Sequence, residues 1–107
     1  MRRASEADPV SMDELRRLAA HRFGDMVKGV VDLRRGVLLL DAELLAEGSA
    51  QRDLWGINLY PEVLGPDWLE FDSMINLRPS FGNRSRGVDD PTVREAIASL
   101  VHRLVHR

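Results

Sequence analysis

Apolar residues recur at spacings of three and four positions in two segments, one near each end of the chain, and each segment predicts an amphipathic helix. The first helix is predicted to begin after Ser11, an N-cap residue with Glu14 at the capping-box spacing. The second is predicted to begin at Asp90-Pro91, an N-cap followed by proline at the first helical position. Its apolar stripe consists of Val93, Ala96, Ile97, Leu100, Val101, Leu104 and Val105.

Between the two helices the apolar period changes to two, which predicts four strands. Residues 26–33 and 37–44 flank a turn of two arginines and a glycine and are expected to pair as a β-hairpin. Residues 54–61 and 68–79 supply the third and fourth strands. Both contain the tripeptide Ile-Asn-Leu, and its asparagines are expected on one face of the sheet if the two strands expose the same side.

The predicted order of elements is therefore α-β-β-β-β-α. This order indicates an α+β fold in which a mostly antiparallel four-stranded sheet carries both helices on one face. A chain of 107 residues suits one domain, which we place at residues 11–107. Residues 1–10, with their small and charged side chains, are expected to form a flexible N-terminal leader.

The composition is that of an ordinary soluble globular protein, with 44% hydrophobic and 30% charged residues. The chain has no cysteine, which excludes disulfides, thiolate metal sites and a cysteine nucleophile. The longest aliphatic run, residues 37–40, is too short to cross a bilayer, and Arg2-Arg3 is followed by no apolar signal segment. We therefore expect a cytoplasmic protein with no membrane partner. A net charge of −2 argues against general nucleic-acid coating but allows a local basic patch.

The connection between the fourth strand and the last helix collects basic, polar and aromatic side chains, and we predict an anion-binding or partner-binding site there. Guanidinium groups suit bidentate capture of phosphate or carboxylate. An aromatic ring between arginines can stack on a nucleic-acid base or contact a second copy of the chain. The alternative is that the arginines pair with acids of the chain itself while Asn and Ser build the turn. The candidate residues are Arg78, Phe81, Asn83, Arg84, Ser85 and Arg86.

Acidic side chains fall on the polar phase of the predicted strands, and they suggest a second hypothesis. If Asp41, Glu43 and Asp72 converge, they would bind Mg²⁺ and activate water for phosphodiester cleavage, as in a metal-dependent phosphoesterase. The ordinary explanation is the wet, charged face of an antiparallel sheet. His102 and His106 have a zinc-chelating spacing but no evident third ligand. We assign no metal ligand, no cofactor and no catalytic residue.

Three segments carry a family resemblance. They are RFGDMVKGVVDLRRGVLLLDAEL (22–44), QRDLWGINLYP (51–61) and FDSMINLRPSFGNRSRGVDDP (71–91). Together they resemble a family of small bacterial and archaeal proteins whose domain has no assigned function. The resemblance implies no catalytic role for any residue. One departure is that Leu45-Ala46-Glu47 stands where the family pattern has His-Ala-Asp.

These observations favour a non-enzymatic binding or interaction module whose 78–86 loop binds an anion, either a nucleotide or a nucleic-acid phosphate. The phosphoesterase is one alternative. The other is a homo-oligomeric structural or interaction protein that associates through an exposed strand edge or through the loop around Phe81.

Overall fold

The computed structural model describes residues 2–41 and 53–106. Two α-helices, α1 and α2, cover one face of a five-stranded sheet in this part of the chain, and a two-stranded sheet lies beside them. The helices are α1 (Met12–Arg22), α2 (Pro91–Leu104) and the short 3-10 helices Pro66–Trp68, Met74–Asn76 and Pro79–Phe81. The strands are β1 (Arg2–Ala4), β2 (Val10–Ser11), β3 (Val27–Asp32), β4 (Val37–Leu40), β5 (Leu54–Leu59), β6 (Leu69–Glu70) and β7 (Val105–His106).

The larger sheet has the order β1-β4-β3-β5-β6, and every neighbouring pair in it is antiparallel. The smaller sheet pairs β2 with β7 in parallel. The main core lies between the helices and the larger sheet, where buried side chains of α1 and α2 meet alternate residues of β3, β4 and β5. A second, smaller apolar cluster occupies the opposite face and consists of Val30, Val37, Leu39 and Leu54, with Ile75 packed against it. The α+β class and the one-sided helices are thus confirmed.

The predicted strand number is wrong, because the sheet has five strands and not four. The additional strand is β1, which pairs with β4 and comes from the segment that we expected to be a flexible leader. Ala4 and Val10 of that segment are fully buried. The Arg2 guanidinium anchors it by donating to Glu14 at 2.8 Å and to Asp8 at 3.0 Å. So few buried positions in ten residues leave no periodic pattern that predicts a strand.

The fourth strand is also shorter than predicted, because only Leu69–Glu70 pairs with β5. The rest of residues 68–79 passes over Gly56 so closely that a β-carbon there would lie 2.3 Å from the Ser73 side chain. A regular ladder is therefore replaced by the 3-10 helix Met74–Asn76. Alternating apolar residues predicted a strand over the whole segment, but they gave no sign of the close passage of Ser73 over Gly56.

The helices, the hairpin and the third strand are confirmed within the described residues. The Ser11 hydroxyl accepts the Glu14 N–H at 3.1 Å, and the Asp90 carboxylate accepts the Thr92 N–H at 2.8 Å, as expected for N-caps. Residues 42–44 of the predicted second strand lie outside the described residues. In the segments 2–41 and 53–106, neither helix has the length and apolar character needed to span a membrane.

Candidate functional site

Buried asparagine side chains hold the connection between β6 and α2 against the sheet. The N–H and C=O of Gly56 point to the same edge of β5 as those of Asn58, whose partner on β6 is Glu70. On this edge the described residues supply no strand partner for Gly56, and the Asn76 amide takes that place. Asn76 Nδ2 donates to Gly56 O at 3.0 Å, and Asn76 Oδ1 accepts the Gly56 N–H at 2.8 Å. Asn76 Nδ2 also donates to Arg86 O at 2.9 Å, which ties the returning chain to the same point.

Asn83, one of the predicted site residues, lies inside this scaffold. Its Nδ2 donates to Asn76 O at 2.6 Å and to Gly87 O at 2.9 Å, while its Oδ1 accepts the Asp89 N–H at 2.8 Å. Only 4% of Asn83 is exposed. Its amide therefore shapes the connection from within and presents no group to a ligand.

Arg78 and Asn83 close a short hairpin. The Arg78 N–H donates to Asn83 O at 2.9 Å, and the Asn83 N–H donates to Arg78 O at 3.2 Å. The 3-10 helix Pro79–Phe81 forms the tip between them. We call residues 77–84 the Phe81 hairpin.

The register of the Phe81 hairpin separates an inward side from an outward side. Arg78 and Asn83 are bridge partners, so the next pair in the same register is Leu77 and Arg84. Successive side chains of an extended chain point in opposite directions. Arg78 and Asn83 face the protein, and Leu77 and Arg84 are both exposed.

Arg78 attaches the hairpin to β5. Its guanidinium carbon lies 4.4 Å from the centroid of the Trp55 ring, and its Nη2 donates to Leu54 O at 2.8 Å. Burial lowers the pKa of Arg78 below its ordinary value. A cation stacked on an indole ring and bonded to a strand carbonyl stabilises the packing of the hairpin base.

Ser85 and Arg86 also bond within the chain. Ser85 Oγ donates to Asp89 Oδ1 at 2.6 Å, and the Arg84 backbone N–H donates to Asp89 Oδ2 at 2.7 Å. Both hydrogen bonds lower the pKa of the Asp89 carboxyl, and the bond from Ser85 has the larger effect. Arg86 Nε donates to Asp72 Oδ1 at 2.7 Å across the connection.

Phe81 and Arg84 differ from the other four predicted site residues because their exposed side chains bond to no other described residue. The Phe81 side chain is 62% exposed. Within the described residues, the Arg84 guanidinium has no hydrogen bond or ion pair. Two neighbours that the sequence did not single out, Met74 at 62% and Leu77 at 41%, are exposed on the same segment. In the predicted fourth strand, Met74 occupies one of the alternate positions expected to face solvent. This was the only feature of the sequence that indicated its exposure.

The sequence profile of the family described as Protein of unknown function (DUF5674) matches residues 6–104. The chain belongs to this family. Comparisons with curated proteins and with solved structures found no match. The resemblance found in the sequence is thus confirmed as family membership. DUF5674 is described as a family of unknown function, so membership assigns no activity to any residue of this chain.

The two candidate metal ligands that lie in the described part of this DUF5674 chain, Asp41 and Asp72, each form an ion pair with an arginine. Asp41 pairs with Arg22 at 3.1 Å, Asp72 pairs with Arg86, and Glu43 lies outside the described residues. Across residues 2–41 and 53–106, no three His, Cys, Asp or Glu side chains are grouped so that they could hold a metal ion. The observed geometry therefore gives the phosphoesterase hypothesis no support.

Proposed function

We propose that this domain is a non-enzymatic interaction module that binds another protein through the outward side of the Phe81 hairpin and the adjoining Met74. The contact surface comprises Met74, Leu77, Phe81 and Arg84, which we call the Phe81 surface. The observation that carries the proposal is the exposure of three large apolar side chains on a segment whose backbone is held by buried hydrogen bonds.

The concentration of apolar side chains distinguishes this surface from the rest of the described chain. Of the six large apolar residues found exposed there, three lie within residues 74–81. Clustered apolar exposure is typical of protein interaction sites, and phenylalanine, methionine and arginine are enriched in them. Because the backbone of the hairpin is already held in one conformation, binding would cost little further conformational entropy.

Local charge favours a protein partner over a nucleic acid or a nucleotide. Nucleic-acid affinity depends on several cations that neutralise phosphates. Arg86 is paired with Asp72, and the Asp89 carboxylate lies against the Arg84 backbone. Arg84 supplies a single unpaired guanidinium in the described part of this connection. One such group at the margin of an apolar surface suits a protein interface, in which a carboxylate of the partner can meet it.

Site-specific photo-crosslinking in cells tests the proposal. A benzophenone analogue of phenylalanine is placed at Phe81 and, as a matched control, at Leu64, which is 87% exposed on a different loop. We expect a crosslinked protein product from position 81 and none from position 64. Equal yields at both positions, or no product from position 81, would overturn the proposal. A crosslink to nucleic acid would support the anion-binding alternative instead.

A second pair of variants separates the two exposed arginines. Arg84→Ala removes a side chain of the Phe81 surface, whereas Arg86→Ala breaks an ion pair inside the connection. In the same crosslinking assay, we expect Arg84→Ala to reduce the yield at position 81 and Arg86→Ala to retain it. If the crosslinked product is a second copy of this chain, light scattering of the purified protein will show a dimer, as the homo-oligomer alternative requires.

A further inference from the structure

The sheet face that points away from the helices carries a row of polar side chains across three adjacent strands. Lys28 on β3 pairs with Asn58 on β5, and Asn58 pairs with Glu70 on β6. Paired residues lie on the same face of a sheet, so the three side chains form one row. Their chain neighbours Val27 and Leu59 belong to the core under the helices, which places the row on the opposite face.

The Glu70 carboxylate is held in position by two donors. Asn58 Nδ2 donates to Glu70 Oε1 at 2.8 Å, and the Tyr60 hydroxyl donates to the same oxygen at 3.1 Å. Asn58 is only 7% exposed, and its Nδ2 also donates to Asp72 O at 3.2 Å, which fixes the amide orientation. Glu70 Oε2 and Asn58 Oδ1 accept no hydrogen bond from the described residues. Two paired residues of neighbouring strands therefore each have an acceptor oxygen without a donor among the described residues.

The Lys28 ammonium supplies the opposite charge at the other end of the row. Its Nζ lies 5.8 Å from the centroid of the Phe23 ring and makes no ion pair with a described residue. Neighbouring strands are roughly 4.8 Å apart, so the Lys28 and Glu70 backbones are separated by about 10 Å. The row thus presents a cation, an amide oxygen and a carboxylate in that order.

We propose that this row binds a small zwitterionic ligand of the amino-acid class. The ligand's ammonium group donates to Glu70 Oε2 and Asn58 Oδ1, and its carboxylate meets the Lys28 ammonium. Hydrogen bonds between charged groups are stronger than those between neutral ones, and both charges of a zwitterion are matched here. The proposal is independent of the Phe81 surface.

The electrostatic surroundings of Tyr60 support a cation at this end of the row. Burial raises the pKa of the Tyr60 hydroxyl, and the hydrogen bond and charge of Glu70 raise it further. The negative charges of Asp25 and Asp72 contribute in the same direction. Carboxylates gathered around one phenol create a negative potential that attracts an ammonium group.

Titration of the purified protein with small ligands, followed by amide NMR spectra, tests the proposal. The probes are glycine, β-alanine and γ-aminobutyrate, whose ammonium and carboxylate groups are progressively farther apart, and methylammonium and acetate, which carry one charge each. We expect at least one zwitterion to shift the signals of Lys28, Asn58 and Glu70 with an affinity at least ten-fold above either single-charge probe. No shift with any zwitterion, or equal affinity for the single-charge probes, would overturn the proposal.

Two variants then assign the two ends of the ligand. Glu70→Gln retains an oxygen for the Asn58 and Tyr60 donors, removes the negative charge and replaces the other acceptor oxygen by an NH2 donor. Lys28→Met keeps an unbranched apolar stem next to Phe23 and removes the ammonium. We expect each variant to weaken zwitterion binding at least ten-fold. The control Asp67→Asn, which changes an exposed carboxylate of the 3-10 helix Pro66–Trp68, should leave binding unchanged. Undiminished binding in Glu70→Gln, or equal loss in Asp67→Asn, would contradict the proposed site.

Discussion

The tripeptide Ile-Asn-Leu occurs twice in this chain and has two different structures. In residues 57–59 it is part of the regular strand β5, and its isoleucine and leucine are buried under the helices. In residues 75–77 it ends a 3-10 helix, and its leucine is 41% exposed on the Phe81 surface. Both asparagines are buried, at 7% exposure for Asn58 and 0% for Asn76. Identical local sequence therefore leads to different backbones and different roles.

The difference shows what a buried asparagine does when a strand partner is present or absent. The Asn58 backbone has β6 beside it, so its side-chain amide is available to orient Glu70. At Gly56 no strand of the described segments pairs with the same edge of β5, and the Asn76 amide takes that place. Asn58 thus serves a candidate ligand site, while Asn76 serves the scaffold that supports the Phe81 surface.

The sharpest test of this comparison replaces each asparagine with alanine. Asn76→Ala leaves the Gly56 N–H and Gly56 O without their side-chain partner and removes one of two donors from Arg86 O, which keeps the Ser73 N–H. Each buried group left unpaired costs roughly 1–3 kcal/mol, so we expect a loss of about 3 kcal/mol or more in the free energy of unfolding. Asn58→Ala removes one bond to the exposed Glu70 carboxylate and one to the part-buried Asp72 O, and should cost less, about 1–2 kcal/mol. Equal losses in urea denaturation would contradict the distinction.

The next largest effect is expected from Gly56→Ala, which tests the close passage of the chain over β5. A β-carbon at this position would lie 2.3 Å from the Ser73 side chain. Overpacking of this kind costs about 1–3 kcal/mol. Ser73→Gly should recover part of that loss in the double variant, because it removes the atoms in conflict. Additive losses in the double-mutant cycle would show that the two residues do not meet.

A smaller effect on stability is expected when the hydrogen bonds from Ser85 and the Arg84 backbone to Asp89 are weakened. These hydrogen bonds lower the pKa of the Asp89 carboxyl in the folded protein. Their stabilisation of the fold is therefore complete above about pH 4, near the pKa of an aspartate in the unfolded chain. It is lost as the pH falls through the lower pKa of the folded protein. Ser85→Ala should raise the Asp89 pKa, as measured by NMR titration of the carboxyl carbon. Ser80→Ala, at an exposed serine of the hairpin, is the control, and an equal rise in it would contradict the assignment to Ser85.

The smallest change in stability is expected at the tip of the hairpin. Phe81→Ala removes a side chain that is 62% exposed, so the free energy of unfolding should change by about 0.5 kcal/mol or less. Leu64→Ala, on a separate loop, should behave alike. A loss of about 2 kcal/mol in thermal or urea unfolding would show that Phe81 packs into the fold, and the Phe81 surface would then lose its main contact residue.

The sequence predicted the two helices, the hairpin and β5 because each carries its own periodic pattern and its own caps or turn residues. It also marked the segment that holds Phe81 and Arg84. It did not predict β1, because Ala4 and Val10 become buried only through contact with distant parts of the chain. For the same reason Met74 and Leu77 were assigned to a strand rather than to an exposed surface.

The roles of the three arginines show most clearly what required the tertiary structure. The sequence alone established that Arg78, Arg84 and Arg86 lie close together in a connection with a polar turn. Their partners lie elsewhere in the chain: Trp55 is stacked under Arg78, and Asp72 is paired with Arg86. Local propensities act over a few neighbouring residues, whereas the compensation of a charge depends on which distant group the fold brings to it. Only the folded chain therefore decided that Arg84 points to solvent.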